Sequence, residues 1–246
     1  MTFNKVILGC SPFTLGFQFG HRSRIYELDF SGQPENIVEV IDKAYQLGVN
    51  NIMLKNNEDL INALRLSQNN GNKWKVTAFS TCDNLDGDLE VFSEFDVETV
   101  IMDGLFVDKN IEEDNYDIIS DCLSRIRDAS YIPAIETRMP FKNLPLIADS
   151  SFIDDFDTIM IPFNFYGYMM DCNFFHKDNR DEFKSLVEGL DKTVIANRTL
   201  ATGILKPQEA YDFIKDIDYI DNVCIGIANV SEAEETIGII NEILKS

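Results

Sequence analysis

At 246 residues, with 45% hydrophobic side chains and 18 Phe, the chain has material for one sizeable core. That length fits a single-domain (β/α)8 TIM barrel spanning residues 1–246. Its 42 acidic against 21 basic side chains give a net charge of −21, a surface that repels nucleic acid and anionic membrane. A small-molecule ligand, even a phosphorylated one, is compatible with this charge, because screening over roughly 8 Å lets a local basic pocket act alone. The five cysteines, Cys10, Cys82, Cys122, Cys172 and Cys224, form no CxxC or Cys/His pair. Free thiols in a reducing compartment are expected, as small core residues, with Cys10 the first choice for a reactive one. No signal-like opening and no apolar run of about 20 residues is present, so a soluble, cytoplasmic protein without a membrane span is expected.

In chain order, residues 5–8 form a compact apolar run, the first strand, followed by Gly9-Cys10-Ser11-Pro12. A polar and aromatic segment over 13–33 carries His21, Arg22, Arg24 and Tyr26, and loops of that length serve as lids or binding loops. Pro34 opens a helix with Ile37, Val40, Ile41, Ala44 and Leu47 on one face, and Gly48 closes it. Strand two covers 51–54 and ends at Lys55, a short helix covers 58–66, and strand three covers 76–79, ending at Ser80-Thr81. A weak helical pattern over 89–95 leads to strand four, 100–102, which ends at Asp103. A helix over 117–129 shows Ile118, Cys122, Leu123 and Ile126 on one face; strand five, 131–135, ends at Glu136-Thr137-Arg138. A helical turn near 144–148 precedes strand six, 158–161, whose exit is Pro162-Phe163-Asn164. An aromatic and Met-rich insert follows, then a helix over 181–190. Two strand-turn-helix units, TVIANRTLATGIL from Thr193 and NVCIGIANVSEAEETIGII from Asn222, complete the chain. Short, continuously apolar strands alternating with helices imply a parallel sheet covered on both faces, and eight such units favour a closed barrel.

In such a barrel chemistry gathers where strands end. The exits offer Ser11 with the His21 loop, Lys55, Ser80-Thr81, Asp103, Glu136 with Arg138, Asn164 with Tyr166, Asn197 with Arg198, and Asn229. Lys55, Asp103 and Glu136 sit at neighbouring exits, as either a proton-transfer pair or an internal salt bridge tying the rim. His21, with an ordinary pKa of about 6.5, is a general acid/base candidate if its loop folds over the mouth, and otherwise an exposed loop residue. The cluster Phe163, Phe165, Tyr166, Tyr168, Met169 and Met170 is either an apolar wall for a ligand ring or packing of a long loop. No HxH, HExxH, GxGxxG, GxxxxGK[ST] or GxSxG occurs, so no built-in metal site is expected.

The stretches KVILGCSPFTLG, IDKAYQLGVNNI, MIPFNF, VIANRTLATGIL and CIGIANVSEAEETI, taken in order, resemble the aldo-keto reductase superfamily. The resemblance implies a barrel and a nicotinamide cofactor. Asn164 would meet the carboxamide, the loops at Arg198, Gly203, Lys206 and Asn229 would follow the dinucleotide, and the helix from Ser231 would receive an adenosine phosphate. Yet Ser231-x-x-Glu234 reads as a capping box, and Glu232, Glu234 and Glu235 crowd that first turn, so NADP, NAD and no cofactor stay open. The family's Asp, Tyr, Lys and His tetrad falls on Met53, the Lys55-Asn56-Asn57 stretch, Ser80 or Thr81, and Asp103. The expectation is a divergent barrel acting on a small polar or phosphorylated carbonyl compound. Lys55, Asp103 and His21 would carry proton transfer, and Glu136, Arg138 and Tyr166 would hold the substrate, with Arg198 assisting. The alternatives are a catalytically lapsed barrel with a binding or assembly role, and a cofactor-free lyase or aldolase using Lys55 as a Schiff-base amine.

Overall fold

A computed structural model describes residues 5–16 and 19–245. Eight parallel strands, in sequence order, close into a barrel: β1 Lys5–Gly9, β2 Asn51–Lys55, β3 Lys75–Ser80, β4 Val97–Met102, β5 Ile132–Glu136, β6 Thr158–Pro162, β7 Thr193–Asn197 and β8 Asn222–Gly226. The closure is made by β8 on β1, in register from Lys5 opposite Asn222 to Gly9 opposite Gly226. Closure leaves no unpaired strand edge. β6 is buried at every position and β3, β5 and β7 at all but one, which explains why the strands read as unbroken apolar runs rather than alternating ones.

Among the described residues ten helices surround the barrel: α1 Arg22–Phe30, α2 Pro34–Gln46, α3 Glu58–Asn69, α4 Leu85–Phe92, α5 Gly104–Glu112, α6 Tyr116–Asp128, α7 Pro140–Ala148, α8 Lys177–Glu188, α9 Pro207–Ile214 and α10 Val230–Lys245. Local chemistry sets their starts. Pro34 and Pro207 occupy first-turn positions where a missing N–H costs nothing. Asn57 accepts a hydrogen bond from Leu60 N at 3.0 Å, and Asp103 from Leu105 N at 2.6 Å. The stripe Ile37, Val40, Ile41 and Ala44 of α2 is buried, as its period requires. No helix among the described residues is long and apolar enough to cross a membrane.

Several stretches differ from the sequence reading; α4 and α8, for example, each start four residues earlier, at Leu85 and Lys177. The segment over 13–33 is not one long loop: it contains α1, while positions 17 and 18 lie outside the described residues. Only Phe30 of α1 is buried, so the helix carries no apolar stripe to detect; ring contacts of Phe13 with Phe30 (5.1 Å) and Phe19 with Tyr26 (4.9 Å) hold it instead. Helix α5 was missed because its buried face includes Asn110, whose amide donates to Phe106 O at 2.8 Å. Helix α7 starts at Pro140 rather than near 144, its pattern interrupted by an internal Pro145.

The insert after β6 is scaffold. Phe163 is fully buried, with Phe174 at 5.3 Å, Phe213 at 5.6 Å and Phe183 at 5.8 Å, which packs the insert onto α8 and α9. Gly167 turns the insert at φ 71°, where a Cβ would collide with the Cys172 carbonyl.

A polar cavity at the barrel mouth

Side chains two apart on a strand share a face, and the strand exits show this pairing. Met53 with Lys55, Phe79 with Thr81, Glu136 with Arg138, Asn197 with Thr199 and Cys224 with Gly226 all line one cavity of about 700 Å³. From an apolar region at Met53, Phe79 and Met160 the cavity runs past the loops after β7 and β8. There Arg22, Tyr26, Gly203, Lys206, Glu232 and Glu235 line it.

One wall is a buried charge network. Arg138 reaches both Asp103 oxygens, at 3.0 and 3.1 Å, and its Nε lies 3.4 Å from Glu136 Oε2. The same Glu136 Oε2 accepts from Gly104 N at 2.9 Å, while Oε1 accepts from Asn197 Nδ2 at 2.8 Å and lies 3.9 Å from Arg198. Side-chain exposures of 14% for Arg138, 8% for Asp103, 4% for Glu136 and 9% for Arg198 show that water screens this network little. Both carboxylates also face the N-terminus of α5, where the helix dipole and free N–H groups favour anions. Gly104 permits the approach: a Cβ there would lie 2.9 Å from Glu136 Oε2 and from Arg138 Cγ. Behind the wall, Asp108 accepts from Thr137 Oγ1 (2.6 Å), Asn143 Nδ2 (2.8 Å) and Arg138 N (3.0 Å). Burial pushes its carboxyl pKa up, against those bonds. Arg198, held in the left-handed region at φ 56°, donates to Met169 O at 3.1 Å, and burial lowers its guanidinium pKa against the opposing charge of Glu136.

Of the residues read from the sequence, the cavity gathers Lys55, Asp103, Glu136, Arg138, Arg198, Gly203 and Lys206. Lys55 and Asp103 do not pair. Asp103 is taken up by Arg138 and the α5 cap, so Lys55 forms with it neither the proton-transfer pair nor the salt bridge read from the sequence, and the rim is tied by Arg138 instead. The Lys55 amine lies 4.9 Å from the Phe79 ring centroid and makes no ion pair or hydrogen bond among the described residues.

The other residues read as site members lie elsewhere. His21 is exposed at the start of α1 and does not line the cavity; its neighbour Arg22 does, donating to Thr202 O at 3.2 Å. Asn164 is fully buried outside the lining, its amide donating to Tyr168 O (3.0 Å) and Arg198 O (3.3 Å) and accepting from Tyr168 N (2.9 Å). Tyr166 is about half exposed, and neither it nor the rest of the aromatic insert lines the cavity. Asn229 and Ser231 are outside it too. The helix starts at Val230, capped by Asn229 Oδ1 on Glu232 N at 2.8 Å, so the capping pair is Asn229 and Glu232 rather than Ser231 and Glu234. Cys10 is buried and its thiol is pushed by burial up to about 11, leaving it neutral at ordinary pH and a poor nucleophile. The sequence reading passed over Met53, Phe79, Arg22, Tyr26 and Glu235 as lining. Stepping back two residues from Lys55 and Thr81 along their strands would have found the first two.

No family model and no curated protein matches the sequence. Among solved structures, the chain is similar to a proposed aldo-keto reductase from Pseudomonas aeruginosa, at 12% identity and TM-score 0.64, over 98% of this chain and 91% of that one. An aldo/keto reductase from Brucella melitensis aligns at 13% identity and TM-score 0.56, over 87% and 90%. An M. tuberculosis tryptophan synthase aligns at 11% and 0.56, over 98% and 94%. At these identities the likeness shows the fold alone, a (β/α)8 barrel.

Proposed function

We propose that this barrel is an enzyme acting on a small carbonyl compound that carries an anionic group, with Lys55 presented to the carbonyl. One observation carries the reading. The cavity is lined by five cationic side chains, Arg22, Lys55, Arg138, Arg198 and Lys206, against four carboxylates, in a chain whose totals are 21 against 42. Cations are concentrated where a ligand would sit, and a low-dielectric cavity strengthens their attraction for an anion. Asp103 and Glu136 offset Arg138 and Arg198, while Arg22, Lys55 and Lys206 make no ion pair among the described residues; of these three, Lys55 is the one standing at a strand end. An amine in that position can donate a proton to a carbonyl oxygen or, when free, add to the carbonyl carbon.

A nicotinamide cofactor, which the architecture brings to mind, fits these residues poorly. The Asn164 amide is committed to backbone partners, and a carboxylate faces the start of α10. The proposed chemistry is therefore built on Lys55 and not on NAD or NADP.

A panel of 2-oxo acids and small aldehydes, phosphorylated ones included, tests this under borohydride, with NADH and NADPH consumption followed in parallel. The expected result is a reduced adduct on Lys55 by mass spectrometry, absent from Lys55→Met. Lys55-dependent consumption of reduced nucleotide would instead assign the amine as proton donor in an oxidoreductase. Neither adduct nor turnover across the panel would sink the enzyme reading. A second reading, a ligand-binding barrel without catalysis, is favoured by the full engagement of Asp103 and Glu136 in ion pairs and caps, and it would then stand.

A further inference from the structure

Asn197 leaves an acceptor unmet. It ends β7, lines the cavity and is only 9% exposed. Its amide is fixed from one side: Nδ2 donates at 2.8 Å to Glu136 Oε1, and a carboxylate oxygen can only accept. Glu136 is held in turn by Gly104 N at 2.9 Å, so the amide cannot turn over without losing that partner. Oδ1 is therefore the free side, and it meets no donor among the described residues. The donors next to it in the chain are engaged elsewhere. Arg198 donates to Met169 O at 3.1 Å, and the Thr199 hydroxyl lies 3.1 Å from that of Tyr211. An acceptor shut away without a donor costs free energy, which favours a partner brought from outside the chain. Lys55 is the converse case, an amine at the end of β2 that lines the same cavity and donates to nothing among the described residues. Strands β7 and β2 are three steps apart around the barrel, and neighbouring strands lie roughly 4.8 Å apart. The unmet acceptor and the unmet donor thus stand across the mouth from each other.

We infer that Asn197 is a specificity-determining residue of the cavity: its Oδ1 accepts a hydrogen bond from a ligand hydroxyl, so the carbonyl compound taken up carries a hydroxyl as well. The inference rests on the cavity being the ligand site, as proposed above, but not on an adduct at Lys55. A hydroxyl suits the position better than an ammonium. The carboxylate beside it, on Glu136, is shared between Arg138 and Arg198, so a ligand cation gains no free counter-charge there. A site built to hold a hydroxyl turns away the analogue lacking it, because the buried acceptor is then left unmet.

Two pairs of 2-oxo acids differ by a single hydroxyl: 3-hydroxy-2-oxopropanoate against 2-oxopropanoate, and 4-hydroxy-2-oxobutanoate against 2-oxobutanoate. They set the hydroxyl one or two carbons from the carbonyl, and calorimetric titration of the full chain gives the affinities. In at least one pair the hydroxylated acid should bind at least about tenfold more tightly, a difference of about 1.4 kcal/mol. Asn197→Leu and Asn197→Asp both lose the donor to Glu136, but only Asn197→Asp keeps an acceptor oxygen. Asn197→Leu should abolish the preference, whereas Asn197→Asp should weaken both acids through its charge and keep their ratio. An amide with a merely structural role would affect the two variants alike. Melting temperatures check that both fold; where Asn197→Leu does not, the wild-type ratios and Asn197→Asp decide. Equal affinities within both pairs, a preference that survives in Asn197→Leu or is lost in Asn197→Asp, or no binding of any of these acids overturns the inference. A hydroxyl preference without a borohydride adduct would sink the role of Lys55 alone. Adducts on Lys55 from acids bound equally within each pair would sink the role of Asn197 alone.

Discussion

Glu136 shows how much of the mouth depends on one side chain. It meets Gly104 N, Asn197 Nδ2 and Arg138 Nε, with Arg198 at 3.9 Å, while itself almost fully buried. Replacing such a group with a neutral isostere leaves two guanidiniums short of counter-charge, and breaking a buried pair by removing one partner costs about 3–5 kcal/mol. Arg138 keeps Asp103, so Glu136→Gln is expected at the low end, about 3 kcal/mol in urea unfolding. A loss below about 1 kcal/mol, the range of an exposed pair, would mean that water screens the network. Legibility at this scale followed geometry. Lys55, Asp103, Glu136, Arg138 and Arg198 stand at or just past strand ends, where pleat direction is inherited from the barrel. His21, Tyr166 and Ser231 lie on loops or helix starts, where no period fixes the direction of a side chain, and Asn164, two residues past β6 as Arg138 is past β5, is instead held by Tyr168 and the Arg198 carbonyl.

Elements with an apolar stripe, such as α2 and α6, were legible because burial dictates their period. Helix α1 was not, because tertiary contacts rather than a stripe hold it. One of these is a latch: Arg22 crosses from α1 to Thr202 O, against the bare Cα of Gly203. Gly203 has φ 85°, and a Cβ there would collide with the Arg22 guanidinium. Gly203→Ala should therefore carry two effects, backbone strain of about 1 kcal/mol and displacement of Arg22. Faster tryptic cleavage after Arg22 and Arg24, at protein concentrations where the barrel stays folded, is the expected readout. An unchanged cleavage rate would show that the latch does not hold α1.

On the scale of the whole molecule, the barrel was countable from the sequence because each strand is short, apolar and followed by its own exit, whereas the cavity depended on which loops fold inward. The two charge patterns then oppose each other. The chain carries −21 overall, while the cavity lining holds one more cationic side chain than carboxylates. An anionic ligand approaching from a distance meets the net charge first and the cavity last. At about 0.01 M salt the field extends roughly 30 Å, and at 0.15 M roughly 8 Å, so salt removes the outer repulsion before it reaches the shielded interior. The association rate of an anionic 2-oxo acid should rise with salt over this range, and its dissociation rate should change little. That is the reverse of attractive steering, in which salt slows association. Stopped-flow measurement across the two salt concentrations decides it: a rate that falls with added salt would mean that the cations at Arg22 and Lys206 govern the approach, and that the acidic shell is too distant from the mouth to matter.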